Sequence, residues 1–183
     1  SYALTSTNVK NLQLINDLKT AIDQSQLSLH YQPKLSLHQN EIHHVEALVR
    51  WTHPHLGVLP PDHFIEIAEQ TGLINDLTQW VLQTAAKQYQ LWLAQGVRLS
   101  IAVNISPKNL QDVHFFDMVM ATLAAFNMPP EELVLEMTER AVVDDTAAAT
   151  AVLSRFKAER ISLPIDDFGT GYSSLIQLKN LPV

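Results

Sequence analysis

The chain has 183 residues, 46% of them apolar, and a formal net charge of −7 from 12 basic and 19 acidic residues. Such a composition is globular rather than disordered; no stretch approaches the roughly 20 apolar residues of a membrane span, and the first residues do not read as a cleavable signal. With no cysteine there is no disulfide framework, thiolate nucleophile or zinc–thiolate site, and the acidic balance lacks the basic face that a nucleic-acid polymer requires, so the expectation is a cytoplasmic domain.

Residues 1–10 are polar and patternless and read as the remnant of a linker, with a domain over 11–183. Leu12, Ile15, Leu18 and Ile22 share one face of a helix. Leu27 to Gln32 alternates like a strand that ends at Pro33, and Ile42 to Trp51 is a second strand, closed by Pro54 and Gly57. Pro60 and Pro61 are placed to open a helix over Asp62–Gln70, with Gly72 as its cap. Leu73 to Gln95 carries the strongest helical stripe, including Leu77, Val81, Ala85, Tyr89 and Trp92, and Gly96 ends it. Strands at Arg98–Asn104, Leu133–Glu136 and Ile161–Asp166 then alternate with helices at Phe115–Phe126, from Asp144 to about Ala158, and at Ser173–Lys179. This rhythm indicates β/α units and a mainly parallel sheet.

The chemistry concentrates at the strand ends. Each strand is apolar along its body and polar at its close: Gln32, Glu46 with Arg50, Asn104, Glu136 with Glu139, and Asp166 with Asp167. In a parallel barrel or open α/β sheet those ends gather on one ligand-binding face. Strand parity sets Glu46, Leu48 and Arg50 on one side, Ala102 with Asn104, and Val134 with Glu136. Converging carboxylate and amide oxygens suit a hard cation such as Mg²⁺, Mn²⁺ or Ca²⁺, and metals there polarise phosphoryl oxygens and activate water. Arg50, roughly 13 Å beyond Glu46 on the same face, is placed to meet a phosphate. The residues therefore suggest metal-assisted hydrolysis of a phosphate ester.

Each of these groups also has a plainer reading. A lone Glu at a strand end is often a solvated loop residue, and Asn104 before Ser106-Pro107 suits a turn. Asp166 and Asp167, being adjacent, reach one site only if the chain turns there, and an Asp capping the next helix is the competing account. Gly169 and Gly171, two of only five glycines, make such a turn feasible. His53-Pro54-His55 resembles a metal pair but reads more simply as surface histidines, and Trp51, Trp80 and Trp92 as packing residues.

Taken together, the motifs resemble a known family. Glu46-Ala47-Leu48-Val49-Arg50-Trp51 is similar to the signature of the EAL domain, the bacterial cyclic-di-GMP phosphodiesterase. The likeness extends through Tyr31-Gln32-Pro33-Lys34, Val103-Asn104-Ile105-Ser106, Glu136-Met137-Thr138-Glu139 and Asp166 to Leu175, in the family's order. The resemblance implies an α/β fold, a (β/α)₈ TIM-like barrel with an antiparallel first strand, of which this chain carries about the first five strands. It implies two Mg²⁺ or Mn²⁺ ions and hydrolysis of cyclic di-GMP to linear 5′-pGpG. By the same resemblance Glu46, Asn104, Glu136, Asp166 and Asp167 are metal ligands, Glu46 and Asp167 serve catalysis, and Gln32, Leu48 and Arg50 contact substrate. Glu139 steadies the loop after the fifth strand, and that loop carries a homodimer contact. A sensory or GGDEF domain is expected upstream, within a cytoplasmic protein or the cytoplasmic part of a membrane-anchored one. A catalytically inactive receptor for cyclic di-GMP, or a regulatory dimerisation module, is the alternative.

Departures from the family pattern fall at His43-His44, Glu159-Arg160 and Pro164, the last costing a ladder bond inside the fifth strand. The family's catalytic lysine, a further metal-binding glutamate and a substrate glutamine lie past the position of Val183. A (β/α)₈ barrel typically takes about 250 residues, so 183 residues read as a barrel lacking its last strands, expected to be inactive alone.

Overall fold

The computed structural model describes residues 2–36, 41–138 and 147–166, and side chains within 12–35, 41–137 and 149–165. Its elements are, in chain order, α1 (Tyr2–Asp23), β1 (Leu27–Ser36), β2 (Glu41–His53), β3 (Gly57–Leu59), α2 (Pro61–Thr71), α3 (Ile74–Leu93), β4 (Ser100–Ile105), α4 (Pro107–Leu110), α5 (Phe115–Ala125), β5 (Leu133–Thr138), α6 (Ala147–Ala158) and β6 (Ile165–Asp166). A single 3₁₀ turn, Pro130–Glu132, leads into β5. The sheet runs β1-β2-β4-β5-β6, with β3 paired to the far end of β2. β1 is antiparallel to β2, and β2, β4, β5 and β6 are parallel to one another. This is the expected arc of a barrel with a reversed first strand.

Alternation divides each strand between two environments. Val45 and Ala47 of β2, Ile101, Val103 and Ile105 of β4, and Leu133, Leu135 and Met137 of β5 point outward and are buried. They pack beneath Val81, Leu82 and Ala85 of α3, Phe115 and Val119 of α5, and Leu153 and Phe156 of α6. The opposite face carries Glu46, Ala102, Asn104, Val134 and Glu136, brought level by the registers Glu46↔Ala102, Ala102↔Val134 and Asn104↔Glu136. A second cluster joins Leu14, Leu18 and Ile22 of α1 to Trp51, Leu59, Phe64 and Ala68. Tyr31 also points outward, meeting Trp92 edge-on at 4.9 Å, and burial pushes its phenol up to about 12.

Most boundaries follow the sequence. Pro60 and Pro61 start α2, and Gly72 ends it in the left-handed conformation at φ 81°. Four elements differ from the expectation. α1 begins at Tyr2 rather than near Leu12, so the stretch expected as linker is helical. β1 continues through Pro33 to Ser36. Among the described strands β1 is bonded to β2 alone, and a proline is tolerated on such a strand where its missing N–H faces away. β6 is shorter than expected. Ser162 makes only an isolated bridge to Val134, and Pro164, which cannot donate, accepts instead from Met137 N at 3.1 Å. His53 is neither a surface residue nor half of a metal pair. It is buried, its Nδ1 accepting from the backbone N–H groups of His55 and Leu56 and its Nε2 lying 3.1 Å from Asp17.

At the end of α6 the chain closes a Schellman-type turn, Ile161 N to Phe156 O and Arg160 N to Lys157 O, with Arg160 at φ 66°. Only glycine enters that region without steric cost. Arg160→Gly is therefore expected to raise stability by about 1 kcal/mol and the melting temperature by about 2–4 °C. Calorimetry finding an unchanged or lower transition would contradict this account of the turn.

Candidate active site

Four polar side chains meet on the inward face of the sheet: Lys34 of β1, Glu46 midway along β2, and Asn104 and Glu136 near the C-terminal ends of β4 and β5. Asn104 Nδ2 donates to Glu46 Oε1 at 2.7 Å. Lys34 Nζ donates to Glu136 Oε1 at 2.5 Å and lies 3.3 Å from Glu46 Oε2. Two carboxylates are thereby held around one ammonium, with an amide bracing the outer one.

The contact from Lys34 to Glu136 also measures the curvature of the sheet. β1 and β5 are three strand spacings apart in the order β1-β2-β4-β5, about 14 Å if flat. That exceeds the reach of a four-carbon stem, so the hydrogen bond requires the sheet to be curled into a barrel arc. Burial pulls the Lys34 ammonium's pKa down, but hydrogen bonding and charge from Glu136, then from Glu46, outweigh it, and the net shift is upward.

Glu136 is 7% exposed, and its second oxygen, Oε2, is buried with no partner among the described residues. A buried carboxylate oxygen without a donor is costly and calls for an explanation such as an ion or water. Among the described residues no three His, Asp or Glu side chains form a ready cage. The described part of the donor set is two carboxylates and an amide, all oxygen-bearing, and the orphaned Oε2 fits a hard cation.

Asp166 ends β6 paired with Thr138 of β5, two residues beyond Glu136. Glu139 and Asp167, and the loop from Asp167 to Leu175, lie outside the described residues, as do Asp144 and the helix expected at Ser173–Lys179. Gln32 is paired with Glu46 across the β1–β2 ladder and is exposed. Leu48 and Arg50 line a cavity of about 440 Å³ that runs from Asn104 to α2, where Asp62 and Glu69 border it. The Arg50 guanidinium is half-buried and donates to Val49 O at 2.9 Å, which leaves most of its donors uncommitted to that bond.

Behind Asn104 the chain is clamped by a buried hub that sequence reasoning missed. Asn109, fully buried, accepts from Ser106 N at 2.9 Å and Thr78 Oγ1 at 3.2 Å, and donates to Asn75 Oδ1 at 2.8 Å. Ser106 Oγ caps α4 and donates to Glu69 at 2.6 Å. The turn that follows Asn104 is thus tied to both α2 and α3. Lys34 was also given no role, although it shares a strand face with Gln32; parity was the available signal.

Relatives are consistent with this arrangement. The model of the EAL domain family matches residues 15–183. The chain is 42% identical over 174 residues to the bifunctional diguanylate cyclase/cyclic di-GMP phosphodiesterase MucR of Pseudomonas aeruginosa, a match covering 94% of this chain and 25% of MucR. It is 38% identical over 172 residues to the cyclic di-GMP phosphodiesterase PdeR of Escherichia coli, covering 94% of this chain and 26% of PdeR. It therefore spans about a quarter of the length of the curated relatives it matches. The solved structure of the PaMucR phosphodiesterase in complex with c-di-GMP superimposes with a TM-score of 0.86 at 42% identity, covering 93% of this chain and 70% of that one. Among the described residues no helix is long and apolar enough to cross a membrane. A barrel arc with a reversed first strand, oxygen donors at successive strand ends and a family match over most of its length establish that this chain belongs to the EAL domain family.

Proposed function

We propose that this chain is the phosphodiesterase domain, residues 11–183, of a cytoplasmic or cytoplasm-facing signalling protein that hydrolyses cyclic di-GMP to linear 5′-pGpG. The observation that carries this reading is the meeting of Glu46 and Glu136 at the Lys34 ammonium, with Asn104 bracing Glu46 and Glu136 Oε2 still unpaired. The relatives named as cyclic di-GMP phosphodiesterases support the choice of substrate.

In this reading Glu46, Asn104, Glu136, Asp166 and Asp167 would hold two Mg²⁺ or Mn²⁺ ions, which would supply Lewis acidity to a phosphoryl oxygen and lower the pKa of the attacking water. Asn104 must turn its amide so that Oδ1 rather than Nδ2 faces the cation, a rotation that also releases Glu46 Oε1. Glu46 and Asp167 orient the attacking water. That water's oxygen forms the new bond to phosphorus, the bond from phosphorus to the 3′ oxygen breaks, and the 3′ oxygen leaves with a proton. Arg50, presented on the cavity wall, pairs with phosphate oxygens, while Leu48 and Gln32 contact the dinucleotide. Glu139 steadies the loop after the fifth strand, which carries a homodimer contact, and a sensory or GGDEF domain lies upstream.

Incubating the full-length protein with cyclic di-GMP and Mg²⁺ or Mn²⁺, followed by chromatography, tests the proposal. The expected product is pGpG, formed only with the metal present. Folded protein that yields none would overturn it, and binding without turnover would identify a receptor instead.

A further inference from the structure

Lys34 stands where a cation would stand. Its Nζ contacts one oxygen of each carboxylate, 2.5 Å from Glu136 and 3.3 Å from Glu46. A divalent ion bound to the same oxygens would sit about 2.0–2.1 Å from them if Mg²⁺, within the volume the ammonium occupies. Two cations do not share that volume, so an ion that takes Glu136 Oε1 and Glu46 Oε2 must displace the ammonium. The side chain is well placed to yield. The Lys34 side chain is 40% exposed, whereas the side chains of Glu46 and Glu136 are 17% and 8% exposed. The carboxylates are the fixed part of the arrangement and the lysine is the removable one.

Resting on the metal-site reading above, we infer that Lys34 is a built-in competitor for the divalent cation. Its ammonium holds Glu46 and Glu136 together in the metal-free protein, and metal binds by displacing it. The bridge relieves the repulsion between two inward carboxylates, and it sets a threshold on metal affinity.

The test is Mn²⁺ uptake by the full-length protein without nucleotide, read from the paramagnetic resonance signal of the free ion. Lys34→Met is expected to bind Mn²⁺ about ten-fold more tightly than wild type, since the ion no longer displaces a charge-assisted hydrogen bond. Lys34→Arg, which keeps the charge, is expected to bind no more tightly than wild type. Equal or weaker binding by Lys34→Met would overturn the competitor role alone. Failure of wild type to take up Mn²⁺ would overturn the metal-site reading and this inference with it.

Because Lys34→Met leaves two carboxylates facing each other and could compromise folding, a second measurement uses the wild-type protein. The Nζ resonance of Lys34, identified by its loss in Lys34→Arg, is expected to shift or vanish as Mg²⁺ saturates the site. A resonance that stays in place at saturation would mean that the ammonium never leaves, and would overturn the inference.

Discussion

Glu46→Gln is expected to lower the rate of cyclic di-GMP hydrolysis by about a thousandfold and to leave the fold intact. Metal coordination contributes several kcal/mol of transition-state stabilisation, and each 1.4 kcal/mol is a factor of ten in rate. The replacement keeps the shape of the side chain and an oxygen able to accept from Asn104 Nδ2, so the brace at 2.7 Å survives. It removes the charge that faces Lys34 at 3.3 Å, a contact that is secondary to the one with Glu136. The matching measurements are chromatographic assay of pGpG and thermal melting of the same preparation. A rate within tenfold of wild type would remove Glu46 from the metal site; a collapse of the melting transition would show that its role is structural.

The second large effect is on stability. Asn109→Leu strips two buried groups, Ser106 N and Thr78 Oγ1, and the half-buried Asn75 Oδ1 of their partner at once. An unsatisfied buried polar group costs about 1–3 kcal/mol, so the total is about 3–5 kcal/mol once some relaxation is allowed. For a chain of this size the melting temperature should fall by about 10 °C. The variant should also lose activity out of proportion to its folded fraction, because the same hub holds the turn after Asn104 against α2 and α3. A melting temperature within two degrees of wild type would mean that water replaces the amide, and that the turn is held by the Ser106–Glu69 bond instead.

The parts of this molecule that are legible in its sequence are those decided locally. α2 and α3 announce themselves because Pro61 at a first turn, Gly72 at a left-handed cap and Gly96 beyond a long apolar stripe each act within a few residues. The inward face is legible for a similar reason. Strand parity alone sets Asn104 two places beyond Ala102 and Glu136 two beyond Val134, and parallel register then aligns them. Pro164 likewise signals the interruption of β6.

What escapes is decided by groups far apart in the chain. Lys34 meets Glu136 across a separation of 102 residues, and only the closing curvature of the sheet makes that contact possible. Asn109 becomes a hub because α3 brings Asn75 and Thr78 to it. β3 has three residues, too few to show a period, and is defined by its pairing to Trp51, Thr52 and His53.

The two-sided strands carry a consequence for how this protein tolerates change. Along β4, Ile101, Val103 and Ile105 answer to the helices outside, while Ala102 and Asn104 answer to the interior. Neighbouring codons are therefore under different kinds of constraint. On the proposed function, a substitution at Val103 is felt as abundance, because it decides how much folded protein exists, and one at Asn104 as the specific activity of the molecules that do fold. Lineages of this domain can exchange outward residues as compensating sets of similar volume. The inward ones, on the proposed function, can change only together with the chemistry proposed for them.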